Sequence, residues 1–273
     1  MVRHYRRGSL GHRRIVPNER SPRARMQRAT RNVGILLLAG ALVILAFNLL
    51  SIHSYRALSA KVHARTPASL TADDHTLATR GENSPDWETL KGINADTAAW
   101  IFVEGTDIDL PVMRARVDDP EFYLSHDLWG SPAFEGVPFL DHRCQADDTH
   151  RLVFGHRLGM GGQFSQLQKA YEQEVFDSLG TCHWSTPTGG SITLVPLCSL
   201  SVDMWYQPIQ TFAFEGEGTL AGWLHTLAQD ATARADSWES LALQGQSVLT
   251  LVTCSSSLSN QQWRTLVVFV QSE

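Results

Sequence analysis

An apolar run, Val33-Gly34-Ile35-Leu36-Leu37-Leu38-Ala39-Gly40-Ala41-Leu42-Val43-Ile44-Leu45-Ala46-Phe47-Asn48-Leu49-Leu50, splits this chain into parts that cannot share one aqueous fold. Its eighteen residues carry no charge and a single amide, Asn48. As a helix rising ~1.5 Å per residue, the run spans about 27 Å, close to the thickness of a bilayer core. Residues 1–31 hold ten Arg and one Glu, nine net positive charges. The whole chain has five net negative charges, so the rest carries fourteen. By the positive-inside rule, the Arg-rich flank stays in the cytoplasm and residues after about 52 emerge on the outer side. A cleaved signal peptide competes with this reading, because Ala57-Leu58-Ser59 offers small residues for cleavage. The run exceeds the ~7–15 residues of a signal core, which favours an uncleaved anchor. The expected organisation is a basic cytoplasmic tail (1–31), a single-pass transmembrane anchor (32–52), a stalk or linker (53–84) and an extracytoplasmic domain (85–273).

The outer domain reads as mainly β. Trp100–Val103, Ile108–Met113, Val137–Asp141, Arg151–Gly155, Thr181–Ser185, Ile192–Leu200, Val248–Cys254 and Thr265–Val270 are short, rich in β-branched and aromatic residues, and bounded by Gly, Pro or Asp. Glu104-Gly105-Thr106-Asp107 and Pro187-Thr188-Gly189-Gly190 predict hairpins. Eight such strands with these turns suggest a closed or nearly closed barrel. Helix is expected at Asp86–Leu90, with Ser84 as cap and Pro85 in the first turn, and at Phe164–Tyr171. A longer helix is expected at Thr219–Ala235, in the connection between the sixth and seventh strands, where Leu220, Trp223, Leu224 and Leu227 make one stripe.

Three strand ends carry reactive groups. Cys254 closes the seventh strand, Arg264 opens the eighth ten positions later, and His156 follows the fourth. A thiol with a free pKa near ~8.5 needs a neighbouring base or cation to become a good nucleophile. An imidazole can give a proton to a leaving amine and take one from an incoming amine. A guanidinium cannot act as a base, but its fixed fork of donors suits an oxyanion. These roles together describe cysteine acyl transfer, which needs no cofactor. The His residues are scattered without a chelating pair around Cys254, so no metal is expected. The acidic outer domain argues against nucleic-acid partners. Of the other cysteines, Cys182 and Cys198 sit on neighbouring strand candidates, which leaves a disulfide between them open, while buried free thiols are the favoured reading for Cys144, Cys182 and Cys198.

Thr250-Leu251-Val252-Thr253-Cys254 followed by Arg264 and a terminal apolar strand resembles the active-site signature of sortases, membrane-bound transpeptidases of Gram-positive bacteria. Phe154-Gly155-His156-Arg157-Leu158 with Phe164-Ser165-Gln166-Leu167 resembles the family's Gly-His loop and following helix. Trp100–Val112, Tyr123-Leu124 and Gly136–Asp141 extend the likeness from about residue 86 to the C-terminus. The preceding helix, the Gly-Thr-x-Ile-Asp hairpin and the long insertion before the seventh strand are similar to class B.

The resemblance implies a sortase-type eight-stranded β-barrel with Cys254 as nucleophile, His156 as general acid then base, and Arg264 as stabiliser of substrate and oxyanion. By analogy Thr253 lines the site as a substrate-binding residue. It implies cleavage of a C-terminal sorting signal (LPxTG- or NPxT-like) through a thioester, then transfer to an amine of a peptidoglycan precursor. Partners would be surface proteins or pilins bearing such a signal, the lipid-linked precursor and the membrane. Arg157 stands where many class B members carry Asn, and Asp203–Phe214 matches no recognisable pattern.

Three alternatives compete with this reading. A pilin-polymerising sortase uses the same three residues with a pilin Lys amine as acceptor, but its Asp-Pro-aromatic lid motif has no match in Asp119-Pro120-Glu121. An L,D-transpeptidase would place Ser-His-Gly before the Cys and Arg two residues after it, where this chain has Val252-Thr253 and Ser256. An inactive binding domain fits poorly with all three reactive residue types standing at matching positions.

Overall fold

Where β-branched and aromatic runs alternate with tight turns, the strands pair so that distant segments finish at one end of a barrel. The structure, a computed structural model, describes residues 22–63, 84–157, 162–216, 219–254 and 262–271. Residues 1–21 of the expected basic tail and 64–83 of the expected stalk lie outside the described residues. The strands are β1 Thr97–Val103, β2 Asp109–Arg114, β3 Phe139–Leu140, β4 His150–Phe154, β5 Cys182–Thr186, β6 Gly190–Asp203, β7 Ala233–Arg234, β8 Ser247–Cys254 and β9 Trp263–Gln271. They follow the order β5-β1-β2-β3-β4-β8-β9-β6, and a β5–β6 pairing closes the ring. This is the expected eight-stranded barrel, and β7 is a two-residue addition outside β6. Closure leaves no long open edge within the ring.

The two strands that carry Cys254 and Arg264 read as continuous apolar runs rather than alternating ones. Val248 to Val252 and Leu266 to Val270 are all buried. The reason is that helices α4 Thr219–Asp230 and α5 Trp238–Gln244 pack on β6, and the 3-10 turn Ser165–Lys169 packs on β8 and β9, so the barrel wall is covered on both faces here. The expected helix at Phe164–Tyr171 is this 3-10 turn, closed by bonds of the Leu167 N–H→Phe164 O type (3.0 Å).

Helix α1 Pro22–His63 is the one helix among the described residues long and apolar enough to cross a membrane. The chain divides into compact units at Ser51/Ile52, so the last three turns of α1 belong with the barrel. Tyr55, Leu58 and Val62 are buried in the core, each contributing about 1.5–3 kcal/mol. Ser59 Oγ donates to Asp109 Oδ2 (2.5 Å), and Trp100 Nε1 donates to Asp109 Oδ1 (2.8 Å). Residues 53–63, for which the sequence allows a stalk or an early helix, continue α1 and fall in the same compact unit as the barrel. Helix α2 Trp87–Ile93 forms as expected, but Asp86 rather than Ser84 caps it. Asp86 accepts from the Thr89 N–H (3.0 Å) and hydroxyl (2.6 Å), bonds that a serine two residues upstream is not placed to make.

The connection from β6 to β8 departs from expectation in one respect. Helix α4 stops at Asp230 instead of Ala235, because the apolar stripe ends at Leu227 and Ala228. The following residues pair with β6 instead: Thr232 N–H donates to Ser199 O (3.1 Å) and Ala235 N–H to Leu197 O (3.0 Å).

His150 on β4 fastens this connection to the barrel. It is fully buried, with ring centroids 5.4 Å from Phe212 and 4.8 Å from Trp223. Its Nδ1–H donates to Thr211 O (2.7 Å), and Nε2 lies 3.0 Å from Thr250 Oγ1, an arrangement suited to a neutral ring. Burial pushes its pKa down from 6.5 to about 4. The unfolded chain therefore binds this proton first, and stability falls by about 3 kcal/mol as pH drops from about 6.5 to about 4. Chemical denaturation of His150→Phe and the unmodified protein across that window should show their stability difference shrinking by this amount. A constant difference would remove His150 from the acid response.

Candidate active site

Register, more than local sequence, assembles the site. Strands β4 and β8 are parallel, with Phe154 opposite Val252, and Gly155 N–H donates to Val252 O (3.0 Å). Parallel neighbours finish at the same end of the barrel, so the chain enters His156 beside Thr253 and Cys254. Strands β8 and β9 are antiparallel, with Cys254 directly opposite Arg264. The side chain of Cys254 and residues 255–261 lie outside the described part of the chain. His156, Thr253 and Arg264 line one cavity of about 490 Å³.

Gly155 sets the placement of His156. A Cβ there would run into the ring of Phe164, which is fully buried and has no room to retreat. The His156 Nε2–H donates to Leu124 O (2.8 Å). A carbonyl can only accept, so Nε2 carries the proton of the neutral ring and Nδ1 is its basic nitrogen.

Thr253 is buried, and its Oγ1 has no hydrogen-bond partner among the described residues. Its neighbour across the ladder, Thr265, is satisfied by Gln168 O (2.8 Å). An unpartnered buried hydroxyl costs about 1–3 kcal/mol, a cost that a ligand in the cavity can remove.

Arg264 is half-buried, and its Nη1 donates to Trp263 O (3.1 Å). Among the described lining residues it is the one Arg or Lys, and it shares the cavity with Glu121, Asp141 and Asp203. Burial alone would raise the Asp141 pKa, but Arg143 holds it below the usual carboxylate range. The guanidinium grips both oxygens (2.8 and 2.7 Å), and the Arg143 N–H adds a third bond (2.9 Å). That carboxylate is structural: it fixes the turn after β3.

The other described cysteines, Cys144, Cys182 and Cys198, are buried and free. Burial pushes the Cys144 thiol up to about 11 and those of Cys182 and Cys198 further up. None of them lines the cavity.

Two parts of the cavity wall come from segments in which the sequence named no site residue. One wall comes from Met204, Tyr206, Ile209 and Gln210, in the connector that matched no pattern. Trp223 of α4 supports that wall by donating from Nε1 to Pro208 O (2.7 Å). Pro120, Glu121 and Leu124 also line the cavity, and the backbone carbonyl of Leu124 is what orients His156.

No family model matches the chain. It is 22% identical over 204 residues to sortase B of Listeria monocytogenes, covering 73% of this chain and 79% of that protein. Its structure is similar to that of Staphylococcus aureus sortase B, with a TM-score of 0.65 and 19% identity, over 82% of this chain and all of that one. Clostridium perfringens sortase B gives a TM-score of 0.59 at 24% identity, over 68% of this chain and 99% of that one. The resemblance to class B sortases thus holds in sequence and in fold, and the barrel is the sortase barrel.

Proposed function

We propose that the protein is a class B-like sortase: a membrane-anchored cysteine transpeptidase with its N-terminus in the cytoplasm and its barrel outside. The observation that carries the reading is the convergence on one cavity of His156, Thr253 and Arg264, with position 254 paired to 264. By this reading the Cys254 sulfur attacks the Thr carbonyl of a sorting signal. His156 Nδ1 takes the thiol proton of Cys254 as the sulfur attacks, Arg264 holds the oxyanion that forms, and His156 passes that Nδ1 proton to the departing amine. A thioester remains on Cys254. An incoming amine then attacks the thioester, His156 takes the amine's proton, and the new amide leaves with the sulfur restored as a thiolate. Each group does what the other two cannot: Arg264 cannot accept a proton at any working pH, and His156 offers no fork of donors.

The acceptor is proposed to be an amine of a peptidoglycan precursor. Offering the enzyme a sorting-signal peptide together with a precursor-derived amine and a pilin-type Lys peptide tests this directly. The wall-type product should dominate; a dominant Lys-linked product would assign the protein to pilus assembly instead.

The unpartnered Thr253 hydroxyl is proposed to bond the bound sorting signal. Thr253→Val keeps shape and removes the hydroxyl, so kcat/KM should fall about tenfold, equivalent to about one hydrogen bond. Unchanged kcat/KM would limit Thr253 to packing.

A further inference from the structure

We infer that Gln163 is the positioning residue for His156, fixing both its backbone and the tautomer of its ring; this rests on the reading of His156 as the proton-transfer group. Gln163 adopts the left-handed conformation (φ 42°), the one non-glycine among the described residues to do so. That region is unfavourable for an L-residue, and glycine would enter it freely. The side chain explains the choice of residue. It is buried, and its carboxamide is fully used: Oε1 accepts from the His156 N–H (3.1 Å), and Nε2 donates to Gly136 O (2.8 Å) and to Glu135 O.

These bonds close a circuit around the imidazole. The segment held by Gln163 is tied to a second 3-10 turn, Phe122–Leu124, because Val137 N–H donates to Tyr123 O (3.0 Å). Gly136 sits so close to the carbonyls of Tyr123 and Leu124 that a Cβ would collide with both. The next carbonyl, Leu124 O, is the acceptor for His156 Nε2–H. One amide therefore fixes the distance between the backbone of His156 and the group that orients its ring. While the circuit is intact, Nε2 stays protonated and Nδ1 stays basic. When it opens, the ring can rotate and both tautomers become accessible.

Gln163 does not line the cavity and acts through His156. A purely structural role would lower stability but leave the imidazole in one tautomer, and this separates the two possibilities. The full chain in detergent micelles, labelled with 15N-histidine, gives the tautomer by long-range proton–nitrogen correlation at a pH where the ring is neutral. The His156→Gln variant identifies the His156 signals. The unmodified protein should show Nε2 protonated, and Gln163→Met should show a mixture.

Gln163→Gly keeps the left-handed backbone without strain while deleting the amide, so it serves if the Met variant folds poorly. It should show the same mixture. With a sorting-signal peptide, kcat should fall about 10- to 100-fold in both, the scale of a displaced catalytic group, while KM changes less than about twofold. The inference is overturned if His156 in Gln163→Gly keeps the Nε2–H tautomer. If the unmodified protein turns over no peptide, the sortase reading fails, and the tautomer still decides the role of Gln163.

Discussion

Cys254→Ala should abolish the acyl-enzyme and lower turnover by about 10⁴-fold or more, while the barrel remains folded. Alanine is compatible with the end of β8, where position 254 is held by its backbone pairing with Arg264. Rescue by another thiol is ruled out by burial. Cys144, Cys182 and Cys198 have no access to solvent, and burial raises all three thiols away from the thiolate form that attacks carbonyls. A melting temperature close to that of the unmodified protein, with no peptide adduct in intact-mass spectra, is the expected pair of results. Substantial turnover in the alanine variant would move the nucleophile elsewhere.

Arg264→Lys should lower kcat and kcat/KM together by about 10²–10³-fold, with little change in KM. The substitution preserves charge, so a role in general electrostatic attraction predicts a small effect. The site argues for the larger one. Arg264 faces position 254 across the β8–β9 ladder and lines the cavity, and donation from Nη1 to Trp263 O helps hold the plane of its guanidinium. A lysine ammonium on a flexible stem offers donors without that orientation. Steady-state kinetics with a quenched fluorescent sorting peptide measures the difference. Retention of most of the activity would show that charge alone suffices and that the fork is unused.

The strands were legible because their physics is local. Val248–Cys254 and Thr265–Val270 are dense in β-branched and large apolar residues between turn formers, and all eight expected strands are present. The two-residue β7 carries too little sequence to show a period, and it forms only because the residues after Asp230 find backbone partners on β6. The turns of α1 after Ile52 leave a weak signal: Tyr55, Leu58 and Val62 recur at helical spacing, but their mixed polar surroundings leave a stalk and an early helix equally open.

Of the residues that line the candidate site, His156, Arg264 and Thr253 could be named from strand ends and motif likeness, as could the proposed nucleophile Cys254, whose backbone pairs with Arg264. The Leu124 carbonyl could not, since a backbone acceptor has no residue type to betray it. Gln163 was missed for a related reason. A glutamine after two glycines looks like surface loop, and only the fold reveals that its amide is buried between the chain entering His156 and the chain that orients it. The connector Asp203–Phe214 lines the cavity through tertiary packing against α4, a relationship with no local period.

The account rests on His156, Arg264 and the Cys254 position acting as one acyl-transfer site. Mixing the protein with a panel of sorting-signal peptides in the absence of any acceptor amine, followed by intact-mass and peptide-level mass spectrometry, tests it most directly. The expected result is a thioester adduct of the peptide's N-terminal fragment on Cys254, discharged when an amine is added. No adduct with any peptide of the panel, or an adduct on a residue other than Cys254, would contradict it.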